Sequence, residues 1–193
     1  MDFKFLWSRT KFLVLDPEKA WQTIYAENRP YRFVRGSFFF PLIIAVAVSA
    51  FFGSLLFTNT GVSGVYSVLA GIKYFLIFYI VIYATALIFN KITKTLDLKS
   101  DFLTSFKIIV YSATPFLLCQ IISRLFESFI FINVLALYGL YIFWLGNERM
   151  LDPPENKKTP MLLGVALLFI TLFLLTSWML TLLSDKVYFT FFS

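Results

Sequence analysis

The segment Tyr111-Ser112-Ala113-Thr114-Pro115 comes closest to a set of residues whose types and spacing could do chemistry. Pro115 has no N–H, so within a helix it frees the carbonyl of Tyr111. Ser112 and Thr114 place two hydroxyls within a turn of that carbonyl. In an apolar medium such a break must be satisfied by side chains or a neighbouring helix. Broken helices of this kind can build ion or substrate sites in transporters, although a plain structural kink is the commoner use of a membrane proline. The rest of the chemical inventory is thin. The chain has no histidine and one cysteine, Cys119. That excludes imidazole acid/base catalysis, Ser–His triads, most zinc sites and an internal disulfide. Cys119 reads as a small apolar packing residue. No glycine-rich phosphate loop, paired carboxylates or metal-ligand spacing occurs, so no enzyme activity, metal or cofactor is expected.

The elements that must carry this segment are long and apolar. Of 193 residues, 59% are hydrophobic and only 15% charged, against about 25% charged in soluble domains. A helix needs about 20 apolar residues to cross the hydrocarbon core. Runs at 37–57, 66–89, 104–123, 126–145 and 161–183 meet that requirement, and none alternates as a barrel strand would. The expected fold is an all-α membrane protein, a five-transmembrane-helix bundle. An interfacial segment at 1–36 precedes the bundle at 37–184, and a short external tail follows at 185–193. No cleavable leader is expected, because charges interrupt 1–36 throughout. A single helix over Thr104–Leu145 would be about 63 Å long, so the chain must reverse. The polar cluster Ser123, Arg124, Glu127 and Ser128 is the expected place, with an Arg124–Glu127 pair. The link Gly146–Pro160 reads as extended and exposed. Ala45, Ser49 and Gly53 offer a small-residue face for a neighbouring helix. Gln120 and Asn133 read as interhelical hydrogen bonders. Lys73 and Lys107 lie close enough to span ends to reach a surface.

Fourteen of the seventeen lysines and arginines fall on one side of five such spans. That asymmetry places the N-terminus in the cytoplasm and the C-terminus outside. It also accounts for the net charge of +6 without nucleic acid as a partner. Before the first span, Phe3, Leu6, Trp7, Leu13 and Val14 recur at helical spacing. Asp16 suits an N-cap and Pro17 a first helical residue. Trp21, Ile24 and Tyr25 would share one face of the helix that follows. Two short helices lying on the lipid headgroups are expected, with a docking face for a partner as the alternative. The candidate membrane or partner contacts are Trp7, Trp21, Arg29, Arg32 and Arg35. The bilayer is one partner, and a membrane protein or a second copy of the chain is the other.

The order of these parts resembles the Yip family of five-span membrane proteins, named for interaction with Ypt/Rab GTPases. The resemblance rests on Asp16-Pro17-x-x-Ala20-Trp21, on Pro41 opening the first span, and on Tyr111, Ser112, Thr114 and Pro115. It continues through Leu137-Tyr138-Gly139-Leu140-Tyr141 and Leu145-Gly146, followed by a Pro/Lys-bearing loop. It implies a non-catalytic protein that binds or organises membrane partners. Residues 1–40 lack the Asp-Leu-Tyr-Gly-Pro motif of eukaryotic members. That absence counts against Rab-type GTPase binding and favours a short, bacterial-type member in the inner membrane. The runner-up function is a small-solute or ion transporter, or a channel component, that uses the break at Pro115.

The orientation has a direct test. With Cys119 replaced, single cysteines at Ser63 and Ser193 are expected to react with impermeant thiol reagents in intact cells, and one at Asn156 is not. Labelling at position 156 from outside would reverse the assignment.

Overall fold

Asp16 separates the first two helices. In the computed structural model, which describes residues 3–57, 64–98 and 100–191, α1 (Phe3–Leu15) ends at Asp16. The Asp16 carboxylate accepts the Lys19 N–H at 3.2 Å, capping α2 (Pro17–Glu27). Pro17 takes a first-turn position that needs no donor. Asn28, left-handed at φ 40°, ends α2. A short α3 (Tyr31–Val34) passes through a π-helical turn, Arg35–Phe39, into α4 (Phe40–Phe57). The extra residue of a π turn lets the consecutive Phe38 and Phe39 both face the core, where both are fully buried. Pro41 lies two residues on, so the looser turn sits where the α-helical ladder loses a donor anyway.

The next helix, α5 (Gly64–Thr95), has 32 residues, about 48 Å at 1.5 Å each. The hydrocarbon core is about 30 Å thick, so α5 projects beyond it. The third span is broken. Asp101 caps α6 (Phe102–Ser112) by accepting the Thr104 N–H at 2.7 Å. Ala113 interrupts the chain, and α7 (Thr114–Leu125) starts with Pro115 in its first turn. The two halves are bent by 44°. Phe126 is extended and reverses the chain, inside the polar cluster expected to do so. A 3-10 helix over Glu127–Leu137, kinked at Phe129, leads into α8 (Tyr138–Leu151). Asp152, left-handed at φ 44°, stops α8. After Pro153-Pro154 comes α9 (Glu155–Phe191), 37 residues long.

Four of these helices are long and apolar enough to cross a membrane, and the bent α6–α7 pair, counted as one span, makes a fifth. The protein is an all-α membrane bundle. In it α5 packs between α4 and α9, α4 lies along α7, and α6 lies against α5 and α8. The hairpin of α1 and α2 folds back onto α8 and caps one end.

The start of the fourth span, Glu127–Leu137, is a kinked 3-10 helix, and Ser128–Leu151 as a whole is long and apolar enough to cross. Past 185 the chain stays helical as far as Phe191. Two expectations need correction. The extended link at 146–160 shrinks to residues 152–154, because α8 continues to Leu151 and the Pro-Pro pair alone breaks the path. Lys107 reaches no surface. It is 2% exposed and its ammonium donates to Asn28 Oδ1 at 3.3 Å. The expected Arg124–Glu127 pair involves a Glu127 side chain that lies outside the described residues, as do 58–63.

The helix that the small-residue face accepts is α7. A Cβ on Gly53 would run into the Arg124 carbonyl, a backbone group that cannot move aside, whereas a Cβ on Gly164 in α9 would meet open space. Gly53→Ala is therefore expected to cost about 1–3 kcal/mol by overpacking. Gly164→Ala should be neutral or stabilising by up to about 1 kcal/mol. Thermal unfolding of the two variants in one detergent compares them. Equal melting temperatures would contradict the packing of α4 on α7.

Candidate functional site at the N-terminal cap

The motif residues of separate segments meet under the cap. Trp21 lies on the inner face of α2, 1% exposed. Its indole Nε1–H donates to the Ile142 carbonyl of α8 at 2.9 Å. In a helix that carbonyl also faces the N–H four residues on, which belongs to Gly146. A Cβ on Gly146 would collide with the Trp21 ring, so glycine makes the notch that the indole enters. The Tyr111 ring stands edge-on to Trp21 at 5.9 Å, and Phe38 lies 4.7 Å from Tyr111 on another side. The Tyr138 hydroxyl donates to the Val14 carbonyl at 3.2 Å, which ties the end of α1 to the start of α8. Gly139 lies so close to the break in the third span that a Cβ there would be 2.6 Å from the Ser112 carbonyl.

Expected site residues thus divide. Trp21, Tyr111, Ser112, Tyr138 and Gly146 come together. Thr114 and Pro115 are buried at the break, and the Thr114 hydroxyl reaches the Val110 carbonyl at 3.5 Å. Pro41 sits apart on α4, and Tyr141 faces outward, half exposed. The Ser112 hydroxyl does not repair the break. It is buried without a hydrogen-bond partner among the described residues, beside an apolar cavity of about 260 Å³ between the broken span and α9.

Trp21 is therefore not a lipid or partner contact, because burying a ring that size and pairing its N–H outweighs laying it on headgroups. Part of the apolar face of each helix is likewise turned inward. Leu13, Ala20 and Ile24 are buried in the bundle. Trp7 does face outward, 73% exposed, with Phe3 beside it on the helix. Arg32 is exposed, and Arg35 lies over Tyr31 and Phe40. Arg29 is engaged, with its Nε 3.3 Å from Glu27 and its guanidinium over Phe33.

Arg9 is a member of the site that the sequence pattern passed over. It is buried in α1 and pairs with Glu27 of α2 at 2.6 Å. The signal was present as a basic residue four before Leu13, on the face that also carries Leu6 and Thr10. At the surface of the cap, Asp16 is held below its ordinary carboxylate range by the Lys19 ammonium and the Lys19 N–H. A depressed carboxylate stabilises the fold above its unfolded value and loses that contribution as pH falls through the folded value. Loosening of the α2 start is therefore confined to acid.

A cleft of about 510 Å³ opens between α2 and α8, lined by Glu18, Gln22, Tyr25, Glu148, Arg149 and Asp152. Arg149 lies over the Tyr25 ring at 5.4 Å, and Lys158 holds Glu148 at 2.8 Å. Among the described residues no group of three or more His, Cys, Asp or Glu side chains is placed to hold a metal.

A broken span clamped by an N-terminal helical cap, within an apolar bundle, defines an integral membrane protein with a structured surface at one end. The chain belongs to the Yip family, since the Yip1 domain model matches residues 11–185. No curated protein and no solved structure gives a match.

The clamp makes a quantitative demand. Trp21→Ala is expected to cost about 3–5 kcal/mol from lost ring burial. Trp21→Phe, which keeps a ring and drops the N–H, should cost about 1–3 kcal/mol. Trypsin cleavage after the buried Arg9 reads undocking directly, and unchanged cleavage in Trp21→Ala would remove Trp21 from the clamp.

Proposed function

We propose that this protein is a non-catalytic organiser that binds a membrane partner through the surface its cap presents. The carrying observation is that the family motif residues hold a helical hairpin in one place. Trp21, Tyr138, Gly139 and Gly146 fix α1 and α2 on the bundle. A surface fixed in advance binds without the entropy cost of ordering it. The cleft between α2 and α8 sets the carboxylates of Glu18 and Asp152 against Arg149, with Glu148 already paired to Lys158. That balance suits a partner segment carrying lysine or arginine. Trp7 and Phe3, with Lys4 and Lys11 on the same exposed side of α1, suit the headgroup region beside it. The charge asymmetry supports a cytoplasmic position for the cap. The transporter reading finds less support, because the cavity beside the third-span break is lined by side chains such as Phe116, Leu140 and Phe169. An ion or polar solute gains nothing from such walls.

Photocrosslinking in cells tests the organiser. A crosslinker at Tyr25 is expected to trap a discrete partner, and one at the lipid-facing Leu174 is not. Glu18→Lys with Asp152→Lys should lower the trapped fraction by about tenfold. An adduct of twice the protein's mass would identify a second copy as the partner. Solute flux in liposomes that depends on Pro115, without any adduct from Tyr25, would replace this reading with the transporter.

A further inference from the structure

At the end of the bundle opposite the cap, two cations share one ring. The Arg124 guanidinium carbon lies 4.2 Å from the Tyr74 centroid, and the Lys73 ammonium lies 5.3 Å from it. Neither forms an ion pair with a described residue. Asp185 on α9 acts electrostatically on Lys73 without pairing with it.

Arg124 is held in place from three sides. Its Nε donates to Gln120 Oε1 at 3.0 Å, Gln120 Nε2 donates to Asn133 Oδ1 at 3.0 Å, and Asn133 Nδ2 donates to the Ile130 carbonyl at 2.8 Å. Its backbone abuts Gly53 of α4 and its guanidinium stacks on Tyr74 of α5. The level is below the end of the bundle. Lys73 lies about 14 Å in from the Gly64 end of α5 at 1.5 Å per residue, and α4 runs on past Gly53 to Phe57. Charges packed among apolar helices are costly unless a partner or polar cavity meets them. Two like charges beside one ring raise that cost, and an anion between them removes it. A guanidinium fork whose terminal N–H groups meet no acceptor among the described residues, next to a compact ammonium, is the donor set that recognises phosphate.

We propose that Lys73 and Arg124 bind the phosphate of an anionic phospholipid in the leaflet opposite the cap. A lipid fits this place better than a soluble anion. The neighbouring helix positions Val68, Ile72 and Ile122 are exposed and apolar, a surface for acyl chains alongside the headgroup.

Native mass spectrometry of the full chain, released from vesicles of mixed phosphatidylglycerol and phosphatidylcholine, tests the site. The unmodified protein is expected to retain one phosphatidylglycerol. Lys73→Gln, which leaves the Arg124 scaffold intact, should lower the retained fraction by about tenfold. Arg124→Lys, which keeps the charge, should retain more lipid than Arg124→Gln. Lys91→Gln with Lys94→Gln removes charge at the cap end and should change nothing. Equal retention in Lys73→Gln, or equal loss in the Lys91/Lys94 variant, would overturn the site. Displacement of the lipid by millimolar inorganic phosphate would overturn its assignment to a lipid.

Discussion

The indole of Trp21, seated in the Gly146 notch and bonded to the Ile142 carbonyl, is the interaction on which the rest depends. It is a large apolar ring with one polar atom, and both needs are met in one place. The ring leaves water or headgroups for a core shared with Tyr111 and Phe38. The N–H finds an acceptor on a helix whose own ladder already uses that carbonyl. Without the notch, α2 would have no way to approach α8 closely. Without α2, the buried Arg9–Glu27 pair would have no enclosure, and the Lys107 ammonium would lose the Asn28 amide beside it.

The broken third span belongs to the same arrangement. Pro115 ends a ladder, and the 44° bend turns the Ser112 carbonyl toward Gly139 at the start of α8. Two glycines therefore serve two approaches on one helix, Gly139 toward the break and Gly146 toward the cap. Mechanics of this kind, with apolar walls around the break, fit a protein that presents a surface better than one that passes a solute.

Apolar run length made the class readable from the sequence, because it follows directly from the energetics of a hydrocarbon slab. The turn at Phe126 was also located, from the polar cluster around it. The placement of α1 and α2 was not. Their spacing pattern is equally consistent with a lipid surface and with a protein surface, since both are apolar on one side. Arg9 was hidden for a related reason. A hydrophobicity pattern counts arginine as solvent-facing, and only the carboxylate of Glu27, supplied by another helix, makes its burial tolerable. The link at 146–160 was misjudged because its prolines and charges resemble a loop, while Asp152-Pro153-Pro154 alone suffices to separate α8 from α9. Convergence of Trp21, Tyr111, Tyr138 and Gly146 could not be read from any one segment, because each contact joins residues far apart in the chain.

The central claim is that α2 is packed into the protein and not laid on lipid. Hydrogen exchange of the full chain in nanodiscs tests this most directly, read on the backbone amides of Ala20–Ile24. The account predicts slow exchange, matching that of α8 around Ile142 and insensitive to the fraction of anionic lipid in the disc. Fast exchange at α2 that slows as anionic lipid is added would contradict it.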